Sequence, residues 1–194
     1  MKKILFIGNS YTYYNDMPEV LFAGFAKETG HPVEVHSATK GAAKLKMYAD
    51  PRMEHCKILE DAAGDMNFDW VVLQEQSHTP ITDEATFHEG IAAMKKLFGG
   101  RTKHFLLYAT WGRKEGSPQF EEMKMTSQEM TDSLAAAYDR AGEMFGIPVV
   151  HVGKAFVAYR QNHPEEELYD PDLSHPSLAG SCLAAQEILK SIIG

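Results

Sequence analysis

Five short apolar runs recur along the chain, and they constrain its fold more than any other feature. Each run is followed by a polar or glycine-containing turn and then, in most cases, by a stretch of helical periodicity, as expected for strands buried on both faces. This alternation predicts an α/β fold in which a mostly parallel five-stranded sheet lies between two layers of helices. The predicted strands are Lys3–Ile7, Val33–Ser37, Trp70–Gln74, His104–Ala109 and Val149–Val152.

Four of the intervening stretches carry the end signals of helices. Thr126 and Glu129 have capping-box spacing, and Gly30 and Gly146 are placed to end helices. Since the sequence contains no repeat, linker or low-complexity segment, residues 1–194 are predicted to form one domain. The predicted helices run from Asp16 to Gly30, from Thr82 to Gly99, from Thr126 to Gly146, and from Pro176 toward the end of the sequence.

Composition excludes several classes of function. The 19 Lys and Arg against 27 Asp and Glu give a net charge of -8 without a basic cluster, so nucleic acid and anionic membranes are not expected partners. The two cysteines are isolated, and the histidines show no metal-binding spacing, so neither a disulfide framework nor a metal site is predicted. No run approaches membrane-spanning length, and Ile4–Ile7 is too short for a signal peptide; the expected location is cytoplasmic.

Ligands of open α/β sheets bind beyond the carboxyl ends of the strands, which directs attention to the loops there. The first such loop contains Ser10, where a following helix can favour developing negative charge. An isolated serine at such a place is more often a turn or capping residue.

A second chemical motif stands near the C-terminal end. Asp172 and His175 are separated by three positions in Asp172-Leu173-Ser174-His175-Pro176. A serine nucleophile needs a base to take its proton, and the base needs a carboxylate to fix its tautomer. One short loop could deliver both partners to Ser10, although Asp-x-x-His alone is a common coincidence.

Together, the Gly8-x-Ser10-x-Thr12 run after the first strand and the Asp172-x-x-His175-Pro176 run before the last helix resemble the SGNH (GDSL-like) hydrolase superfamily. Gly180 also stands where that superfamily often has a glycine. The resemblance implies a flavodoxin-like α/β/α fold and a Ser10–His175–Asp172 catalytic triad. It further implies hydrolysis of a small-molecule ester, often an acetyl or other acyl group on a sugar or lipid, without a cofactor.

The resemblance also implies an oxyanion hole, formed in part by the backbone N–H groups of Ser10 and Gly41. The superfamily supplies a further donor from an asparagine after the third strand, whereas this chain has Gln74-Glu75-Gln76 there. A glutamine carboxamide can donate the same hydrogen bond, so Gln76, and after it Gln74, are the predicted substitutes. Asn9 replaces the usual aspartate beside the nucleophile.

Trp111 and Tyr11 lie in loops at the same predicted edge and could line the acyl or sugar pocket, although aromatic residues there are as often packing residues. Two alternatives to an esterase remain at this stage. One is a nucleotide- or phosphate-binding module, since a strand, a turn and a helix can cradle phosphate, although no phosphate-binding glycine motif is present. The other is a catalytically inactive binding protein on the same fold.

Overall fold

A computed structural model describes residues 1–118 and 124–194 of the chain. Its centre is an all-parallel sheet of five strands in the order β2-β1-β3-β4-β5, which confirms the predicted α/β class. This is the flavodoxin-like strand order. The strands are β1 (Lys2–Gly8), β2 (Val33–Thr39), β3 (Phe68–Leu73), β4 (Thr102–Ala109) and β5 (Val149–His151).

Two apolar cores lie on the two faces of the sheet. Because successive side chains of a strand point to opposite faces, Ile4 and Phe6 of β1 enter one core, and Leu5 and Ile7 enter the other. All four side chains are fully buried. This explains why β1 is a continuous apolar run rather than an alternating one.

Helices cover both faces, so the predicted three-layer arrangement is confirmed. One core receives helical side chains such as Ala26, Phe156 and Ile188, and the other receives helical side chains such as Leu59, Ile91 and Tyr138. Short 3₁₀ segments span Tyr14–Asp16 and Leu45–Ala49, and a π-helical segment spans Met17–Phe22. The α-helices of the described residues are α1 (Ser10–Tyr13), α2 (Ala23–Glu28), α3 (Glu54–Ala63), α4 (Thr79–Thr82), α5 (Glu84–Phe98), α6 (Ser127–Phe145), α7 (Val152–Asn162) and α8 (Leu178–Ile193). None of them is long and apolar enough to cross a membrane.

The first helical stretch begins earlier than the sequence suggests. Helical structure starts at Ser10, and the side chain of Asn9 caps it by accepting a hydrogen bond from the N–H of Tyr11 at 3.1 Å. The predicted cap, Asp16, is instead a kink with a φ of 51°, and its side chain caps nothing in the described chain. The prediction was wrong because Pro18 marks the π-helical segment that follows the kink, not the first turn of the whole stretch.

Two other helix starts lie close to the predicted ones. The capping box of Thr126 and Glu129 is present and opens α6. The last helix begins at Leu178 rather than at Pro176, because Pro176 is held in a bridge to Tyr169 and Ser177 is the cap.

Topology brings the candidate site together at one edge of the sheet. The order of the strands reverses beside β1, since β2 flanks it on one side and β3 on the other. Parallel strands all end at the same edge, and the point where the order reverses leaves a crevice there. Residues that follow β1, β2, β3 and β4 therefore surround this crevice.

Candidate active site

Ser10, His175 and Asp172 form one hydrogen-bonded line at this edge. The Oγ of Ser10 lies 2.8 Å from Nε2 of His175. On the other side of the ring, Nδ1 of His175 is hydrogen-bonded to Oδ2 of Asp172. Residues separated by 165 positions in the sequence thus have the order nucleophile, base and carboxylate that a serine triad requires.

A tight turn holds the Asp172 carboxylate. Its Oδ1 accepts the backbone N–H groups of Ser174 (3.0 Å) and His175 (2.9 Å). Leu173 adopts a φ of 62°, which closes the turn. Partial burial alone would raise the pKa of Asp172, but the hydrogen bonds from His175 and Ser174 outweigh it and lower that pKa. The carboxylate therefore stays ionised beside the imidazole.

Two tyrosines fix the plane of the His175 ring. Tyr14 stacks flat on it, with ring centroids 4.2 Å apart and an interplanar angle of 8°. Tyr11 meets the ring edge-on at 5.5 Å and 73°. With Asp172 bound at Nδ1, the ring has little freedom except to present Nε2 to Ser10.

Gln74 supports the nucleophile loop from beneath. Its Oε1 accepts the backbone N–H of Asn9 and the hydroxyl of Thr12, both at 2.9 Å, and its Nε2 bonds the carbonyl of Glu75. A Cβ on Gly8 would lie 2.6 Å from that Oε1, so any larger residue there would displace the Gln74 amide. Because Gln74 is buried and these contacts use both ends of its amide, its prediction as an oxyanion donor is corrected to that of a support.

Gln76 lines the cavity at Ser10, as its predicted role requires, but its amide also makes local bonds. Its Oε1 accepts from the hydroxyl of Thr79 at 2.9 Å, next to the start of α4. Its Nε2 makes only long contacts, at 3.3 Å, with Ser77 Oγ and with Nδ1 of His78.

Gly41, which follows β2, lies in the wall of the same cavity. Within the described ranges, the structure records no hydrogen bond from the backbone N–H of Ser10 or from that of Gly41. Both N–H groups therefore remain available to an incoming oxygen atom.

Tyr11 lines the cavity, but Trp111 does not. The Trp111 ring is fully buried between Tyr11 (4.9 Å) and Phe156 (4.1 Å), with both pairs stacked at 5°. Its Nε1 donates to the carbonyl of Ser174 at 3.1 Å, and the hydroxyl of Tyr11 is 2.7 Å from Ser174 Oγ. The prediction that Trp111 lines a pocket is thus corrected: it supports the turn that carries His175.

The cavity has a volume of about 360 Å³ and lies over Ser10 and His175. Arg113, which follows β4, also lines it, although no sequence motif singles this residue out. A second open cavity, of about 490 Å³, adjoins on the side of the Asp172 turn and shares Arg113, Ser174 and His175 with the first.

Glu75 is a buried carboxyl group behind the same loop. Its two oxygens accept the backbone N–H groups of Gln76 (2.7 Å) and Leu45 (3.2 Å). Burial raises the pKa of Glu75 to about 7, although those N–H groups act in the opposite direction. The three side chains of Gln74-Glu75-Gln76 therefore have different roles: the first two support loops, and the third reaches the cavity.

This arrangement is suited to nucleophilic attack by Ser10 on a carbonyl carbon. Nε2 of His175 is within reach of the Ser10 proton. Ser10 and Gly41 line the same cavity, and within the described ranges their backbone N–H groups have no recorded hydrogen bond, so they can bind a developing oxyanion. Sequence reasoning missed Tyr14 and Arg113, since neither belongs to a motif and both reach the site only through tertiary packing.

Neither the family models nor the curated proteins searched contain a match to this chain. Solved structures do. A proposed SGNH hydrolase from Slackia heliotrinireducens is 29% identical, with 98% of each chain covered and a TM-score of 0.81.

Two more distant structures share the fold. A lipase/acylhydrolase from Enterococcus faecalis is 20% identical, with 99% of this chain and 95% of that chain covered and a TM-score of 0.74. A catalytic mutant of an acetylxylan esterase from Geobacillus stearothermophilus is 15% identical, with 100% and 94% covered and a TM-score of 0.69.

Proposed function

We propose that this chain, which has the SGNH (GDSL-like) hydrolase fold and resembles those hydrolases along its whole length, is a serine ester hydrolase with Ser10 as nucleophile. One observation carries the proposal: Ser10 Oγ, His175 and Asp172 form a continuous hydrogen-bonded line at the cavity. Hydrolases among the structural neighbours support ester hydrolysis as the general reaction.

The reaction proceeds in two halves. In the first, Nε2 of His175 takes the proton of Ser10 as Oγ bonds to the ester carbonyl carbon. The tetrahedral intermediate collapses, and the leaving alkoxide takes the proton from His175, which leaves an acyl group on Ser10. In the second half, His175 takes a proton from water, the hydroxide displaces Oγ from the acyl carbon, and Ser10 regains its proton. Asp172 holds the imidazole and stabilises its cationic form throughout.

The oxyanion of both intermediates accepts from the backbone N–H groups of Ser10 and Gly41. Neither N–H has a recorded hydrogen bond within the described residues, which supports this role. Gln76 supplies the third donor through Nε2, the atom whose existing contacts are the longer ones of its amide. Gln76 lines the same cavity as Ser10, which supports this role.

The ester is one with a short acyl group, such as acetyl, on a carbohydrate or lipid alcohol. Acetylxylan esterases are among the structural neighbours, which supports this choice. A cavity of about 360 Å³ also lies at the small end of the usual range for ligand sites. The bond-making and proton-transfer steps use side chains and water, and backbone N–H groups stabilise the oxyanion.

Hydrolysis of p-nitrophenyl acetate and of its octanoate homologue tests the proposal. We expect wild type to cleave the acetate faster than the octanoate, and Ser10→Ala to lose about 10⁶-fold in kcat, as in a measured serine protease. Ser191→Ala, a matched change on the exposed end of α8, should keep wild-type rates.

A fluorophosphonate probe gives a second readout, since it should label wild type and fail to label Ser10→Ala. Equal labelling and equal turnover in both proteins would contradict the serine mechanism. Thermal stabilisation by nucleotides, in the absence of any ester turnover, would instead favour a phosphate-binding module.

A further inference from the structure

Arg113 is a buried cation without a counter-ion in the described part of the chain. Its side chain borders the cavity over Ser10, yet the residue is only 8% exposed. Among described residues its guanidinium makes one hydrogen bond, from Nη2 to Ser77 Oγ at 3.2 Å, and no ion pair with any carboxylate. Its Nε is buried without a partner.

A buried charge of this kind lowers the stability of the folded chain. Arginine stays ionised at any physiological pH, and a desolvated charge without a partner opposes folding. Among the described residues, a single neutral hydroxyl, Ser77 Oγ, accepts from one of its five N–H donors. Within that part of the chain, the guanidinium therefore keeps N–H donors that can bind an anion at the edge of the cavity over Ser10.

The backbone around Arg113 is fixed in place. The N–H of Gly112 donates to Thr131 Oγ1 at 2.8 Å, and its carbonyl accepts from the hydroxyl of Tyr169 at 2.8 Å. On the other side, the N–H of Lys114 donates to the carbonyl of Leu173 at 2.9 Å, in the turn between Asp172 and His175. The backbone that carries Arg113 is thus anchored to the same turn as the catalytic base.

The position of Arg113 selects one half of the substrate. His175 must protonate the leaving oxygen, so the alcohol portion of the ester lies on its side of the site. Arg113 lines both the cavity over Ser10 and the adjoining one beside the Asp172 turn, and these two cavities share Ser174 and His175. Gly41 and Gln76, the proposed oxyanion donors, line the first of these cavities but not the adjoining one.

We infer that Arg113 recognises an anionic group, a carboxylate, phosphate or sulfate, on the alcohol portion of the ester. A guanidinium matches the paired oxygens of such groups with two parallel hydrogen bonds. A local cation is also needed because the chain as a whole carries a net charge of -8, which repels anions. This inference rests on the proposed esterase function and names its substrate class.

A matched pair of esters tests it. Both 3-acetoxybenzoate and 3-acetoxybenzamide yield acetate and a phenol with water, and they differ in one negative charge on the alcohol portion. We expect wild type to favour the anionic ester by about 10- to 100-fold in kcat/KM, the range of one charge-assisted hydrogen bond. Arg113→Gln and Arg113→Met should bring that ratio near one, whereas Arg113→Lys should keep part of it.

Lys114→Gln is the control, since Lys114 is the neighbouring cation and is already paired with Glu167. It should leave the ratio at the wild-type value. A purely structural role for Arg113 would lower the rates of both esters equally and leave the ratio unchanged, which would overturn the inference. A second outcome would also overturn it. In that outcome wild type prefers 4-nitrophenyl hemisuccinate, whose charge is on the acyl portion, to 4-nitrophenyl butyrate and loses this preference in Arg113→Gln, but shows no preference between the two acetoxy esters.

Failure of the inference and failure of the esterase are separable. A wild-type ratio near one, with turnover of both esters lost in Ser10→Ala, overturns the role of Arg113 and leaves the esterase standing. If no ester is cleaved, calorimetric titration with 3-hydroxybenzoate and 3-hydroxybenzamide decides instead. Tighter binding of the anion by wild type, lost in Arg113→Gln, supports the anion site, and equal affinities overturn it.

Discussion

At the scale of single residues, the two carboxylate oxygens of Asp172 have different roles. Oδ1 accepts two backbone N–H groups and so shapes the turn, while Oδ2 binds Nδ1 of His175. Holding the turn needs only an oxygen atom, but binding His175 needs an acceptor that keeps the imidazole proton on Nδ1. Replacing Asp172 by its neutral isostere, asparagine, therefore separates the structural role from the catalytic one.

Asp172→Asn should preserve the turn through its remaining oxygen and place an N–H₂ group against Nδ1. The imidazole would then adopt the tautomer with its proton on Nε2, which cannot accept from Ser10. We expect kcat for p-nitrophenyl acetate to fall about 10⁴-fold, the loss measured for the same change in a serine protease. Asp170→Asn, two positions away, is the control; equal losses in the two variants would show that Asp172 is not the carboxylate of the triad.

Gln76 and Gln74 have the same side chain but different surroundings, so their alanine variants should fail in different ways. Gln76→Ala should lower kcat by about 10²–10³-fold, because it removes one oxyanion donor. Its thermal midpoint should fall less than that of Gln74→Ala, because Gln76 is only partly buried. Gln74→Ala should chiefly lower the thermal midpoint, because it leaves the N–H of Asn9 and the hydroxyl of Thr12 without their acceptor. Wild-type turnover in Gln76→Ala would leave the oxyanion to backbone donors alone.

The sequence predicted the line from Ser10 through His175 to Asp172 because each half of it is contained in a short motif. Arg113 and Tyr14 carry no such signal: one is a single charge in a loop, and the other one tyrosine among eight. Their importance comes from burial and from ring stacking against His175, which depend on segments distant in sequence. Trp111 was predicted to line the pocket because it is a large aromatic residue in a loop at that edge. Its size alone did not show whether it lines the pocket or packs beneath the turn that carries His175.

At the scale of elements, the strands were predictable to within a residue or two. Strands such as β1 are buried on both faces and read as apolar runs, whereas the edge strand β2 is mostly half-buried and alternates Val33 and Val35 with polar residues. The helices were less predictable. Helix α7 starts at Val152, directly after β5, with neither a connecting loop nor a side-chain cap from His151 to announce it. The kinked stretch from Ser10 to Phe22 passes through three helix types, a path set by packing rather than by local propensity.

Two glycine-to-alanine changes should have opposite effects on stability. A Cβ on Gly112 would lie 2.2 Å from the carbonyl oxygen of Ser127, where the loop after β4 crosses the start of α6. We expect Gly112→Ala to lower the free energy of unfolding by about 1–3 kcal/mol. A Cβ on Gly24, in α2, meets nothing within 4 Å, so Gly24→Ala should raise it by about 0.5–1 kcal/mol. Urea unfolding of both variants measures the two changes in the free energy of unfolding. Changes of the same sign in both variants would contradict the packing argument.

At the scale of the whole molecule, Glu75 couples the stability of the fold to pH. It is fully buried beneath the active-site edge, and its backbone N–H donates to the hydroxyl of Tyr138 at 3.0 Å. Its carboxyl group joins the segment after β2, at Leu45, to the loop after β3, at Gln76. These contacts span three elements, so the protonation state of one side chain acts on the global unfolding equilibrium.

Burial raises the pKa of Glu75 from 4.5 to about 7, so between these values the folded chain binds a proton that the unfolded chain releases. This contribution is fully present below pH 4.5, falls as pH rises toward 7 and stays constant above it. A pKa raised from 4.5 to about 7 corresponds to on the order of 3 kcal/mol. Urea unfolding of wild type from pH 4.5 to 8, compared with Glu75→Gln, should show this decline only in wild type. Glu143→Gln, an exposed change on α6, should follow wild type. Parallel curves for wild type and Glu75→Gln would show that Glu75 is ionised in the fold, with the N–H groups of Leu45 and Gln76 outweighing its burial.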